Sequence, residues 1–251
     1  MKIGIVGKGG VGKTTLSALI SASFAARGKR VIAIDTDSNP NLGISLGLTP
    51  EEAEDVPVIP RALVFGSAPG TTTADLLAEY GRRTESGVQL LSAMRVNQAG
   101  AGCTCGSHAS VRSILGAVLD EEADVTLVDM EAGLEHLSRS GGTLAYADVL
   151  LAIMEPSRKS VITAARTLAL AEELGIPMTV GVGNKARLPQ DAEFFQTQCD
   201  AYGVPLAAVI PFDSDVVDSD RAGRSLGAGL GPAVRTAVDD LISFLDGVPV
   251  A

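Results

Sequence analysis

The stretch Met1–Thr15 reads MKIGIVGKGGVGKTT. Its apolar run from Ile3 to Val6 has the composition of a strand buried on both faces. Gly7-Lys8-Gly9-Gly10-Val11-Gly12-Lys13-Thr14 follows and fits G-x-x-x-x-G-K-[ST]. Beyond it, Leu16, Leu19, Ile20 and Phe24 recur at helical spacing. Strand, glycine loop and helix together are the context a phosphate-binding loop requires. Glycines let backbone N–H groups wrap phosphate oxygens without a Cβ in the way. The helix N-terminus adds unpaired N–H groups and the positive end of its dipole. Lys13 has the length to reach the β- and γ-phosphates, and the Thr14 hydroxyl can ligate Mg²⁺. Nucleotide contacts are therefore expected from Gly7 through Thr15. The competing reading, a glycine-rich turn that matches by accident, does not explain the flanking strand and helix.

A chain of 251 residues is long enough for one large α/β domain, expected here over residues 1–251. Hydrophobic residues make up 46% and aromatics only 4%, which supports a full aliphatic core rather than disorder. The net charge of −10 comes from 20 basic and 30 acidic residues. Such a balance argues against nonspecific nucleic-acid binding and against anionic membrane surfaces. No apolar run reaches the ~18–20 residues needed to span a bilayer. The N-terminus reads as a strand and loop rather than a signal peptide. Three cysteines do not make a disulfide framework. A reducing, cytoplasmic setting is expected, in which a thiol pair points to metal or redox chemistry.

Further buried strands are read at Val31–Ile34, Val88–Leu91, Val125–Asp129, Val149–Met154, Met178–Val182 and Ala207–Ile210. Amphipathic helical stretches alternate with them. Ser157 is a candidate cap for one, with Val161, Ala164, Ala165 and Leu168 on its inner face and Gly175 at its end. Another runs over residues 233–246, with Asp239, Asp240 and Asp246 on its outer face; that face lacks the basic charge of a membrane-binding helix. The alternation predicts a doubly wound α/β fold, a mainly parallel sheet with helices on both faces. The nucleotide is expected at the C-terminal edge of the sheet. Residues 49–60 read as an exposed acidic insert and residues 66–73 as a Gly/Thr-rich loop, neither with a chemical motif.

Carboxylates stand where that edge is predicted. Asp35 and Asp37 end the second strand, and Asp129 ends the Val125 strand as a Walker-B-like element, opening the D-x-x-x-G run Asp129-Met130-Glu131-Ala132-Gly133. Strand-end Asp residues also cap turns, and only the upstream loop tips these toward function. Asn184-Lys185-Ala186-Arg187 follows a later strand. A guanine reader spells this N-K-x-D, so Arg187 removes support for guanine selectivity. Gly102-Cys103-Thr104-Cys105-Gly106-Ser107-His108 is the second chemical signal. Its flanking glycines leave the thiols accessible, and Ser107 can cap a helix carrying Val111, Ile114, Leu115, Val118 and Leu119. Cys103 and Cys105 supply two ligands where a closed thiolate site needs four; a two-fold axis through the loop would complete the set. A redox dithiol and unrelated thiols are the other readings of this pair. His108 reads as structural or solvent-facing, and Cys199 as a small core residue.

KGGVGKTT resembles the deviant Walker A loop of the dimeric P-loop ATPases related to MinD, ParA, the nitrogenase iron protein and ArsA. The resemblance implies a homodimer formed on ATP, with Lys8 reaching the partner's nucleotide, Asp37 positioning the attacking water, and Asp35 and Asp129 near Mg²⁺ through water. It also implies adenine contacts at Asn184, with Lys185, and along Pro211-Phe212-Asp213. The Cys-x-Cys read together with Asp129-Met130-Glu131-Ala132-Gly133-Leu134-Glu135-His136 is similar to the CooC-type maturation ATPases of nickel carbon monoxide dehydrogenase. That implies ATP hydrolysis by a metallochaperone whose client is a nickel enzyme, with Ni²⁺ or Zn²⁺ on Cys103 and Cys105. Thiolate chemistry suits Zn²⁺ at least as well. One departure is Ser38, where many relatives carry proline. Two alternatives stay open. An iron–sulfur reductase like the nitrogenase iron protein would need a cysteine in residues 129–142, which have none. A ParA/MinD-like positioning ATPase leaves the Cys-x-Cys unexplained.

Overall fold

The computed structural model describes residues 1–60, 73–95, 123–131, 144 and 146–248. Cys103, Cys105, His108, the helix expected over 111–119 and the run from Ala132 to His136 lie outside the described residues, as does most of the 66–73 loop.

The described strands are β1 (Lys2–Gly7), β2 (Val31–Asp35), β3 (Arg82–Arg83), β4 (Gln89–Ser92), β5 (Val125–Asp129), β6 (Val149–Met154), β7 (Met178–Ala186) and β8 (Leu206–Pro211). They form one sheet in the order β3-β4-β2-β5-β1-β6-β7-β8. Every pairing is parallel except β3 with β4. The first helix, α1 (Lys13–Ala26), carries the chain from β1 across β5 to β2. Helices α2 (Leu42–Ser45), α3 (Pro50–Glu54) and α4 (Thr73–Tyr80) precede β3. Then α5 (Arg158–Glu173), α6 (Pro189–Tyr202), α7 (Ser214–Arg221) and α8 (Pro232–Asp246) follow β6, β7 and β8.

The continuous apolar strands are sorted by the pleat. Ile3, Ile5, Val31, Ala33, Val149, Leu151 and Ile153 face a core built with α1 and α8, including Leu16, Ile20, Phe24, Leu241 and Leu245. Their neighbours Val6, Ile32, Ile34, Leu150, Ala152 and Met154 face a second core with α5 and α6, including Val161, Leu168 and Phe195. A strand covered on both faces has no solvent side, so alternation vanishes from its sequence although it persists in its packing. Ser157 caps α5 as expected, accepting from the Ser160 N–H at 3.3 Å, and Cys199 is fully buried among apolar neighbours.

The segment read as an exposed acidic insert is structured. Thr49 and Glu52 form a capping box on α3, and Val56 and Ile59 behind it are buried. The run of acids covers only one turn, and the hydrophobic residues after it reach the sheet through a Val58–Ser92 bridge. The strand read over Met178–Val182 is longer than expected: β7 continues through Asn184 to Ala186, pairing with β8 across irregularities in register.

Candidate functional site

Five loop or strand ends meet at the C-terminal edge of the sheet: those after β1, β2 and β5, and the ends of β7 and β8. The loop after β1 is anchored by one side chain, Val11, which is fully buried in the α1 core, while Lys8, Gly9 and Gly10 are exposed. Gly12 precedes α1 at φ 95°, ψ 31°, and no side chain caps the helix. Its first N–H groups are therefore open to a ligand. A Cβ on Gly12 would fall on the Asn184 amide nitrogen. That nitrogen donates to the Val11 carbonyl at 2.8 Å. Beside it, Lys185, at a positive φ of 60°, donates its Nζ to the Gly10 carbonyl at 2.6 Å. Thus the end of β7 grips the phosphate loop from behind through two of its carbonyls.

Lys13 is only 8% exposed and its Nζ donates to the Lys8 carbonyl at 3.4 Å. Burial pushes the ammonium below its usual pKa, against the pull of Asp129, Asp37 and Glu131. A cleft of about 470 Å³ opens over it, lined by Gly9, Gly10, Gly12, Lys13, Thr14, Thr15, Asp37, Glu131 and Lys185. Lys8 is exposed and is not among the residues that line it.

Under the cleft lie two buried carboxylates on paired positions of adjacent strands, Asp35 and Asp129. Burial pushes Asp129 up to about 7, reinforced by the charge of Asp35 and opposed by the Thr14 and Ser17 hydroxyls and by Lys13. Ser17 Oγ donates to its Oδ1 at 3.0 Å. Burial raises Asp35 to about 6, with backbone N–H groups pulling the other way. Asp35 accepts from the Leu42 N–H at 2.9 Å and the Asp37 N–H at 3.0 Å, which shapes the loop carrying Asp37. Asp37 is half-buried and accepts from the Asn39 N–H at 2.9 Å. Two buried carboxylates and a threonine hydroxyl are a hard-oxygen donor set, and it fits Mg²⁺. Among the described residues, no group of three or more His, Cys, Asp or Glu side chains can hold a metal.

A second pocket of about 210 Å³ adjoins the first. Thr15, Leu16, Leu19, Asn184, Lys185, Pro211, Phe212 and Asp213 line it, so the expected adenine contacts are brought together. Its apolar floor comes from Ile210, Val216, Val217, Leu226 and Val234. The Asp213 carboxylate is occupied: Oδ1 caps α7 through the Asp215 N–H at 2.8 Å, and Oδ2 accepts from the Gly231 N–H at 2.9 Å. Arg187, which stands where a guanine reader has its acid, stacks on the Phe212 ring with Cζ 3.5 Å from the centroid.

Sequence reasoning missed Ser17, Glu131 as a cleft residue, and the floor of the second pocket. Ser17 had a signal, since it lies one helical turn after Lys13 and shares its face. Val216 and Val217 had none, because they stand among the aspartates of α7.

The family model for the CobQ/CobB/MinD/ParA nucleotide binding domain matches residues 4–226. The chain belongs to this family. Within it, the chain is 35% identical to the carbon monoxide dehydrogenase accessory protein CooC of Rhodospirillum rubrum, over 98% of this chain and 96% of that protein. It is 32% identical to an ATP-binding protein of Methanocaldococcus jannaschii, over 90% and 91%. In fold it is similar to the septum site-determining protein MinD of Pyrococcus horikoshii complexed with Mg-ADP, with a TM-score of 0.74 at 21% identity over 98% and 96% of the chains. A ParA family ATPase from Chlorobium tepidum gives a TM-score of 0.75 at 19% identity, over 96% and 97%. The chain is thus a P-loop ATPase of the MinD/ParA type, with the doubly wound α/β fold, and it resembles the CooC proteins. No helix among the described residues is long and apolar enough to cross a membrane.

Proposed function

We propose that this ATPase is a CooC-like metallochaperone: ATP closes two copies on each other, and the closed dimer carries a metal ion to a nickel enzyme such as carbon monoxide dehydrogenase. The observation that carries the dimer is Lys8. It stands in the phosphate loop, is exposed, and stays out of the cleft its own loop builds. A lysine there is of use to a nucleotide held by a second copy. The likeness to CooC over nearly the whole chain supports the client.

The triphosphate lies in the cleft over Lys13 and the base in the pocket floored by Ile210 and Val216. Asn184, with Lys185 and the Pro211–Asp213 backbone, borders the base. The Asp213 carboxylate already accepts two backbone N–H groups, so its backbone is the expected contact for the adenine edge. The loop amides, Lys13 and the partner's Lys8 stabilise the charge on the transferring group. Thr14, Asp35 and Asp129 would hold Mg²⁺, which when bound would supply charge neutralisation at the phosphate oxygens. Asp37 orients the attacking water. The water oxygen bonds to the γ-phosphorus as the bond to the β,γ-bridging oxygen breaks. ADP leaves with that electron pair, and the water's proton ends on inorganic phosphate.

Closure brings Cys103 and Cys105 of both copies together as four thiolates around one cargo ion, Ni²⁺ or Zn²⁺. The test is the double variant Cys103→Ala with Cys105→Ala, loaded anaerobically and analysed for bound metal. It loses the metal while ATP affinity is retained. Unchanged metal stoichiometry would overturn the cargo site.

A further inference from the structure

The loops after β2 and β5 are stitched together at two levels. At the strand ends, Thr36 donates both its N–H, at 3.1 Å, and its hydroxyl, at 2.8 Å, to the Asp129 carbonyl. One step further out, Ser38 Oγ donates to Glu131 Oε1 at 3.0 Å. These two residues are separated by 93 positions in the chain. Between the two levels Met130 is buried, its N–H bonded to the Ile5 carbonyl at 3.1 Å. That anchor turns the next residue, Glu131, out to the cleft, which it lines with Asp37 and Lys13. The cleft thus presents two carboxylates, one from each loop.

We propose that Glu131 is a second acceptor for the attacking water and that Ser38 is the positioning residue that aims it. The proposal rests on the reading of Asp37 as the group that orients this water. A water has two O–H bonds. A single carboxylate fixes one of them and leaves the molecule free to rotate about it. A second acceptor fixes the other, so that a lone pair faces the phosphorus before reaction, and orientation of this kind lowers the barrier. No bond to Glu131 is made or broken: the oxygen of water joins the γ-phosphorus, ADP departs with the bridging oxygen's electron pair, and the proton leaves with phosphate. Lys13 and Lys185 in the same cleft offset the added negative charge.

The experiment measures kcat and KM for ATP in Ser38→Ala, Ser38→Thr, Glu131→Ala and the double variant Ser38→Ala/Glu131→Ala, with Asp37→Ala alongside. Glu131→Ala, which removes the acceptor, lowers kcat by about tenfold or more, and Ser38→Ala by about three- to tenfold. In both, KM and ADP affinity stay within about twofold, because contacts to the nucleotide are untouched. Ser38→Thr, which keeps the hydroxyl, restores kcat. Adding Ser38→Ala to Glu131→Ala costs nothing more, since a positioning residue has no effect once its target is gone. An unchanged kcat in Glu131→Ala or Ser38→Ala, or losses that multiply in the double variant, would overturn the proposal. If Asp37→Ala abolishes turnover while Glu131→Ala does not, only this inference falls. If Asp37→Ala turns over normally, the underlying reading of the water site falls with it.

Discussion

Replacing Gly12 by alanine tests whether the grip of β7 on the phosphate loop is as tight as the geometry says. Gly12 sits at φ 95°, in the left-handed region, where a Cβ costs about 1–2 kcal/mol. The same Cβ would fall on the Asn184 amide nitrogen, displacing the donor bonded to Val11 O at 2.8 Å. Leaving a buried carbonyl without its donor costs a further ~1–3 kcal/mol. The sum is about 2–5 kcal/mol, which at ~2–4 °C per kcal/mol for a chain of this size is a drop of roughly 4–20 °C in melting temperature. Gly10 supplies the control. Its φ is also positive, 81°, but a Cβ there meets nothing within 4 Å. Gly10→Ala should therefore show only the conformational cost, about 1–2 kcal/mol. Chemical denaturation of both variants without nucleotide is the assay, followed by titration of a fluorescent ATP analogue, whose binding Gly12→Ala should weaken more. Equal losses in the two variants would refute the reasoning, because the contact with Asn184 would then add nothing to the strain.

Three further outcomes are expected. Asp35 and Asp129 are raised to about 6 and about 7 by burial, so the folded chain binds protons that the unfolded chain, with carboxylates near ~3.9, releases. Their ionisation therefore opposes folding, by an amount that grows as pH rises from about 4 to about 7 and then levels. In metal- and nucleotide-free buffer the melting temperature should rise as pH falls from 8 to 6, and Asp129→Asn should flatten that slope; equal slopes in the two proteins would contradict it. Asp213→Ala removes both the α7 cap and the tie to Gly231, worth about 2–3 kcal/mol together in urea unfolding. Because these bonds border the pocket proposed for the base and not the cleft proposed for the phosphates, ADP affinity should fall by more than pyrophosphate affinity; calorimetry showing equal losses would contradict that assignment.

The parts of the site that were legible in the sequence are those spelled by local chemistry. Gly7 to Thr14 declares its loop through glycine spacing, and Asp35 and Asp129 declare their places at the sheet edge by ending apolar runs. Asn184 was singled out through the family resemblance, but its surroundings were not legible. It lies inside β7, and its amide holds the phosphate loop, a contact 173 positions away that no local pattern encodes. The acids of Pro50–Glu54 hid the burial of Val56 and Ile59, because charge density over one turn says nothing about the residues that follow it. The Ser38–Glu131 bond was illegible for the same reason as the Asn184 contact: it exists only once β2 and β5 are paired.

The central claim is that ATP joins two copies and that the pair, not the single chain, holds the cargo ion. Native mass spectrometry of the wild-type chain with Mg²⁺, a non-hydrolysable ATP analogue and one equivalent of Ni²⁺ or Zn²⁺ per chain tests it directly. The expected species is a dimer carrying two nucleotides and one transition-metal ion, lost to monomers in Lys8→Ala. Monomers that each carry a metal ion, or dimers that carry none, would contradict it.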